Sequence, residues 1–383
     1  MANQSVPSTK PSVKCNKPSI SGMEQRSVIL FHSAIKAENT RKGYDNQLKK
    51  YLEYFIIKNY DSLLQIDEKK TQRMIEDYIL HLRSIGSSRA KVKISIYALE
   101  LFYSMNDIMI NWKKIKRMIP EEMLSVNRPY TTEDLQKLTK LLSRTPKWLA
   151  FVHVMSASGT RAGFVEYLKM KDILDMPNTK CKALRIYSGH KEEYYTFIHE
   201  EAVNALNDYL DSRRKKGDEL NENDYVFTKL KGTKPLSQRE ISSSMTWYLR
   251  KLPEIRGEKK ETDRFEVSMT HGIRKRWNTI MKNNSDINPL FVEKMFGHSS
   301  RLIPLDTVYH KPTLDRLFEE YQKGISELII NDNDRLKQTI ETQKLELDSI
   351  KQKDDQITIL QDQLHEVQKH LKELATRVSS GSK

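Results

Sequence analysis

Apolar side chains recur at helical spacing along most of this chain, and only one short region departs from that pattern. The fold is thereby confined to a mainly α class with one small antiparallel β-sheet (α+β). Val28 to Phe31 starts a first helix. Asn39-Thr40-Arg41 opens a stronger one, in which Tyr44, Leu48, Tyr51, Leu52 and Phe55 share a face. Asp67 to Ile85 carries Met74, Ile75, Tyr78, Ile79 and Leu82 on one side, and Ser87 to Phe102 carries Val92, Ile94, Ile96, Tyr97, Leu99, Leu101 and Phe102. Further helices are expected from Thr132 and over Trp148 to Ser156, Glu200 to Lys215, Gln238 to Leu252, His271 to Lys282 and Pro289 to Phe296. The exception is Ala183 to Tyr187 and Tyr194 to Ile198, two β-rich runs around Gly189-His190-Lys191, which read as a hairpin.

Pro120 and Pro129 interrupt helical continuity and mark a linker over 120–130. Residues 24–119 then form a small helical domain with basic faces, and 131–330 a larger, mainly helical domain. Residues 1–23 are rich in Ser, Pro, Lys and Asn and read as disordered, because they hold too little apolar surface to offset ordering entropy. Beyond Ile325 a seven-residue series appears: Leu336, Gln343, Ile350, Ile357, Leu364, Leu371 and Val378, with Leu360, Val367 and Leu374 three residues after its later members. These are a and d positions, so a coiled coil is expected over 331–378, with 379–383 flexible. Ile340 and Leu347 fall four residues after the series, so the seam drifts before it settles.

A formal charge of +14 and a pI near 9.4 favour a polyanionic partner, which such a surface would attract in a salt-sensitive manner. Cys15 and Cys181 are too few for a disulfide framework or a thiolate zinc site, so an intracellular, reducing location is the default. The most apolar run, Trp148 to Met155, is far shorter than a bilayer span, and no apolar block precedes the first helix as a signal peptide would.

The chemistry concentrates in three places. Ser158-Gly159-Thr160-Arg161 puts an arginine after a turn and N-cap signal, where the free N–H groups of a following helix also favour phosphate. Met269-Thr270-His271-Gly272-Ile273-Arg274 sets His271 and Arg274 three residues apart on one helical face. Phe296-Gly297-His298 follows, then an isolated Tyr309. Two arginines can stabilise charge developing on a phosphate, two histidines can move protons or donate, and a tyrosine can attack phosphorus, all without a metal.

This order of Arg, His-x-x-Arg, Gly-His and Tyr resembles the tyrosine recombinase (phage integrase) family, and Val308-Tyr309-His310-Lys311-Pro312-Thr313 followed by Glu319-Glu320-Tyr321 is most similar to its archaeal branch. The resemblance spans roughly Ile35 to Ile330, with specific motifs only from Ser158 to Tyr309. It implies that 24–119 is the core-binding domain, a helical clamp on DNA to which Lys42, Lys49, Arg89, Lys91 and Lys93 would contribute, and that 131–330 is the catalytic domain. It implies a DNA strand transferase working through a 3′-phosphotyrosine for a mobile element, on double-stranded DNA, with neither cofactor nor metal, in a cytoplasmic, nucleoid-associated setting. Arg161 and Arg274 would hold the phosphate, with His271 as proton acceptor or charge stabiliser and His298 as a second donor. Tyr309 would attack, and Tyr321 is the rival. Lys191 matches the place where integrases carry a lysine that protonates the departing 5′ hydroxyl; His190 and Lys182 are alternatives. Phe164 stands where many members have a Glu, although Glu166 lies close by. The coiled tail lies outside the resemblance and would serve homo-oligomerisation on DNA. Two other classes stay open: a catalytically inactive DNA-binding regulator on the same scaffold, and a coiled-coil adaptor.

Overall fold

The structure, a computed structural model, describes residues 26–121, 127–229, 234–259, 265–298 and 312–380. The chain divides into two units, 1–125 and 126–383.

The first unit is helical: α1 (Arg26–Ser33), α2 (Glu38–Tyr54), α3 (Asp61–Leu64), α4 (Glu68–Ser84), α5 (Arg89–Met105) and α6 (Trp112–Lys116). The helices begin where side chains can satisfy their free amides. Asp67 accepts from the amides of Lys69 and Lys70 at 3.0 and 3.3 Å, and Ser88 accepts from that of Lys91 at 3.3 Å. Phe31, Tyr51, Ile75, Ile79, Ile96, Leu99 and Phe102 are fully buried and form the core, while Tyr44, Phe55, Tyr97 and Leu101 from the same expected faces are partly buried against it. The Ser95 hydroxyl donates to Gln47 at 2.9 Å and fixes α5 against α2. Periodicity did not reveal α3 and α6, because four and five residues give too short a window for it.

The second unit comprises α7 (Thr132–Leu142), α8 (Pro146–Ser158), two 3-10 turns (Ala162–Glu166 and Met170–Asp172), β1 (Ile173–Asp175), β2 (Lys182–Ile186), β3 (Tyr194–Ile198), α9 (Glu200–Arg214), α10 (Gln238–Leu249), α11 (Pro253–Arg256), α12 (Met269–Asn283), α13 (Pro289–Met295), α14 (Leu314–Gln322), α15 (Ile325–Leu328) and α16 (Asp332–Ser380). The expected hairpin is present, with Leu184 opposite Thr196 and Ile186 opposite Tyr194. A third strand extends it, β1 pairing antiparallel to β2 with Leu174 opposite Ala183. Three residues ending in Asp175 carry no alternation long enough to read. α8 is apolar on all sides and lies in the centre, every residue from Ala150 to Ser158 buried.

The long tail helix is separate from the short helix before it. α15 stops at Leu328, and a new helix starts at Asp332. Tertiary partners replace the helical ones across this break. The buried Arg276 guanidinium donates to the carbonyls of Leu328 (3.2 Å) and Glu327 (2.8 Å), the Glu201 carboxylate accepts from the amides of Ile330 and Asn331 (both 2.9 Å), and Gln136 donates to the Ile330 carbonyl (2.9 Å). α16 then continues for 49 residues, roughly 74 Å at 1.5 Å per residue.

Two buried histidines lie near Glu201. Burial pushes His153 down to about 4 and His199 down to about 3, and it raises Glu201 above the usual carboxylate range. His153 Nδ1 stands 3.9 Å from Glu201, too far for a hydrogen bond, and burial drives both groups toward their neutral forms. Both histidines are neutral in the fold and charge readily in the unfolded chain. Their contribution to stability is therefore present above the unfolded value of 6.5 and is lost as pH falls toward the folded values. Glu201, raised by the same burial, takes up a proton in the fold and offsets part of this loss, so urea unfolding should show stability falling between pH 6 and 4 by at most about 2.7 kcal/mol per pH unit, at 1.36 kcal/mol per proton per unit. His199→Phe should make that slope shallower by about 1.4 kcal/mol per pH unit, one proton's share.

Candidate active site

The C-terminal end of α8 supplies the floor of the site. Its last residue is Ser158, and Gly159 closes it in the left-handed conformation (φ 63°), so the turn expected from sequence at Ser158-Gly159-Thr160 ends α8, and the helix expected after it is a short 3-10 one. Arg161 then precedes a five-residue 3-10 turn. Carbonyls at the end of a buried helix have no intrahelical partner and must be satisfied from elsewhere. Trp277 Nε1 donates to the Ala157 carbonyl at 2.9 Å, the Thr196 hydroxyl to that of Ser158 at 2.8 Å, and Arg274 Nη1 to that of Gly159. Gly159 also has no room for a side chain, since a Cβ would stand 2.5 Å from the Trp277 ring.

Arg274 is buried on α12. Its Nη2 donates to the Phe296 carbonyl at 2.7 Å, and its guanidinium lies 3.4 Å from the centroid of the Phe296 ring. Burial lowers it to about 10, so it stays charged at neutral pH. Arg161, exposed at the mouth, donates from Nη1 to the next carbonyl, that of Gly297, at 3.2 Å. The two arginines expected from sequence thus converge on adjacent peptide groups of the Phe296-Gly297-His298 turn. His271 lies one helical turn before Arg274, and desolvation first, then the charges of Lys275, Arg274 and Arg161, hold it below the usual histidine value. His298 shares a 2.8 Å hydrogen bond between Nδ1 and the Glu293 carboxylate. Since Glu293 is held below the usual range and so ionised, the ring donates, leaving Nε2 as the other functional atom. Glu293 stands five residues before His298 and also pairs with Lys282.

The hairpin turn carrying Lys191 is tied to the Arg161 segment through aromatic contacts. Tyr167 meets Tyr187 at 5.2 Å and His190 at 5.0 Å, both edge to face, and the Tyr187 phenol feels the charges of Arg161 and Arg274. Glu193 braces the turn, accepting from Arg185 at 3.0 Å and from the Gly189 amide at 2.7 Å. Lys191 is exposed at its tip. Of the alternatives, Lys182 is ion-paired with Asp175, and His190 leans on Tyr167. Phe164 is core, stacked on Phe151, while Glu166 accepts from the Gln238 amide at the start of α10, at 2.8 Å, and not from Arg161.

Tyr309 lies outside the described residues. Tyr321 is fully buried on α14, donates to the Ala157 carbonyl at 3.0 Å, and is raised well above the usual phenol value by burial. It is a core residue. In the first unit, Lys42 and Lys49 are exposed beside Glu38 (3.6 Å) and Glu53 (3.9 Å), Lys93 lies 5.6 Å over Tyr97, and Lys91 is partly buried. Arg89 donates to the Pro120 carbonyl at 2.8 Å, a structural bond in addition to the DNA role expected for it. Among the described residues, no group of three or more His, Cys, Asp or Glu could hold a metal ion, and no helix is long and apolar enough to cross a membrane. Sequence reasoning missed Phe296 as the ring beneath Arg274 and Glu293 as the partner of His298. The i, i+5 spacing of Glu293 and His298 was the one signal that could have found the second.

Residues 130–303, which hold these motifs up to His298, match the model of the phage integrase family. Solved structures with a similar fold include the Tn1549 transposon integrase in complex with transposon right end DNA (TM-score 0.53, 16% identity, 78% of this chain and 98% of that chain). The XerH site-specific recombinase bound to palindromic difH substrate is similar (TM-score 0.52, 20% identity, 68% and 73%), as is a lambda integrase dimer bound to a COC' core site (TM-score 0.50, 16% identity, 75% and 96%). None of the curated proteins compared with the chain matches it.

The turn geometry gives a paired prediction. Gly297 has φ 62°, and a Cβ there would stand 2.4 Å from the Tyr194 ring, whereas Gly189 has φ 77° with nothing within 4 Å. Gly189→Ala should cost only the backbone penalty, about 1 kcal/mol. Gly297→Ala should cost roughly 2–4 kcal/mol and displace the carbonyl that Arg161 holds. Urea unfolding of the two variants measures the difference, and equal losses would mean that Tyr194 yields freely.

Proposed function

We propose that this protein is a site-specific tyrosine recombinase, the integrase of a mobile element, with a wording around Tyr309 that resembles the archaeal branch. The observation that carries the reading is the convergence of Arg161 and Arg274 on the Phe296 and Gly297 carbonyls, flanked by His271 and His298. Two guanidinium groups fixed in this way can hold a phosphodiester and meet the charge that grows on its non-bridging oxygens during attack.

In the proposed reaction, the Tyr309 hydroxyl attacks phosphorus, its proton passing to neutral His271 or to water. The bond to the 5′ oxygen breaks, and Lys191 supplies the proton to that oxygen. The 3′-phosphotyrosine is then attacked by the 5′ hydroxyl of an incoming strand, which releases the tyrosine. One phosphodiester is exchanged for another, so no external energy source is needed. The basic faces of the first unit, with Lys42, Lys49, Arg89, Lys91 and Lys93, would clamp the duplex.

The decisive experiment is covalent trapping on a nicked DNA substrate. Tyr309→Phe should abolish the covalent product and leave binding nearly intact, since it removes one hydroxyl. Peptide mapping of the wild-type adduct should find DNA on Tyr309. An adduct on Tyr321 would overturn the assignment, and binding with no adduct at all would favour the regulator reading.

On a substrate with a 5′ sulfur leaving group, which needs no proton, Arg161→Ala and Arg274→Ala should still slow cleavage by roughly 100-fold or more each. Lys191→Ala should be close to wild type on that substrate and slow on the oxygen one. Equal loss for all three on the sulfur substrate would remove Lys191 from the role of general acid.

A further inference from the structure

Past its first turn, α16 carries a stripe of apolar side chains that none of the described residues covers. Leu336, Ile340, Leu347, Ile350, Ile357, Leu360, Leu364 and Val367 are each 51–63% exposed. So long an exposed apolar stripe marks an interaction surface. We infer that it pairs with the same helix of a second copy of this chain, parallel and in register, with Lys353 and Asp354 selecting that orientation.

The stripe alternates steps of four and three residues from Leu336 through Ile340, Gln343 and Leu347 to Ile350, and again from Ile357 through Leu360 and Leu364 to Val367. Between Ile350 and Ile357 it skips a step. Read through that gap, the heptad is shifted by three residues, a discontinuity that coiled coils absorb by local overwinding. Lys353 and Asp354, both exposed, fill the gap, standing about 50° to either side of the stripe. Two copies related by a two-fold axis along the helices bring opposite edges of the stripe together. Lys353 then meets Asp354 of the second copy, and Asp354 meets Lys353 of the second copy. An antiparallel pair brings like edges together, setting lysine against lysine and aspartate against aspartate.

Gln343 supports the same choice. In parallel register its amide meets Gln343 of the second copy, and the two can hydrogen-bond. In the antiparallel alignment that matches the stripe with itself, centred between Lys353 and Asp354, Gln343 would face Leu364 and leave its amide unpaired. At the helix start, Asp332 and Lys337 have the i, i+5 spacing at which parallel helices attract across their flanks. From Ile357 to Val367 the flanks are Gln356, Gln361 and Gln363, which offer no charge for a charged partner to recognise. A copy of the same helix is therefore the partner that all these positions fit. Pairing of this kind hangs both copies of residues 126–331 from the same end of the helical pair, with the helix axes roughly 10 Å apart. The inference rests on α16 alone and holds whether or not the chain cuts DNA.

Single cysteines test orientation. Ile340→Cys and Leu364→Cys, made separately in the full chain, should each give a disulfide between identical positions under mild oxidation, mapped by mass spectrometry. In the antiparallel alignment those positions lie about 40 and 32 Å from their own copies, far beyond disulfide reach. Sedimentation without DNA should show a dimer. Lys353→Asp should weaken it by roughly tenfold, through two attractive contacts turned repulsive, and the exchange Lys353→Asp with Asp354→Lys should restore it. A monomer at tens of micromolar, disulfides at neither position, or an exchange variant as weak as Lys353→Asp would overturn the inference.

Discussion

The second unit is organised around one buried cation. Arg274 gives its two terminal nitrogens to the carbonyls of Gly159 and Phe296 and lays its plane on the Phe296 ring. A guanidinium taken out of water is costly unless its donors are satisfied. Here the acceptors are a carbonyl at the C-terminal end of α8, where the helix dipole is negative, and one at the C-terminal end of α13. The same two bonds hold the end of a central helix and the Gly-His turn at a fixed distance from α12. Arg161, His271 and His298 take their places from that frame.

The end of α8 shows how far the constraint reaches. Ala157 accepts from Trp277 and from Tyr321, Ser158 from Thr196, and Gly159 from Arg274. Four side chains from α12, α14 and β3 thus close one helix end. Tyr321 is committed to this closure, and a phenol with its hydroxyl donated to a buried carbonyl is a poor nucleophile. Arg276, two residues beyond Arg274, performs the equivalent task for the carbonyls of α15. α12 accordingly points one arginine toward the site and the other toward the root of the tail.

Helical faces and the hairpin were legible because they depend on periodicity, a property of the sequence alone. β1, α3 and α6 were not, since each is shorter than its own period needs. What holds the helix break at Ile329–Asn331 was not legible, because the residues that pin it, Gln136, Glu201 and Arg276, lie far away in sequence. At the site, the chemistry-bearing residue types could be read from order and spacing, but their supports could not. Ser158-Gly159-Thr160 reads from sequence as a turn before a helix start, and the structure adds that it also ends α8, with Trp277 packed against Gly159. Glu166 seemed a substitute for the acid missing at Phe164, yet it is spent on the start of α10.

The two histidines are placed in opposite electrostatic surroundings, and this divides the proton work in the proposed reaction. His271 sits among Lys275, Arg274 and Arg161, where a further positive charge is disfavoured, so its neutral ring is the form present at physiological pH. A neutral imidazole can take a proton from an attacking phenol. His298 is hydrogen-bonded through Nδ1 to an ionised Glu293, which fixes the ring and favours a proton on that nitrogen. In the proposed reaction its Nε2 is the atom free to meet a phosphate oxygen. The surroundings here are set by the same α12 and α13 that hold Arg274, so charge stabilisation and proton transfer depend on a single packed frame.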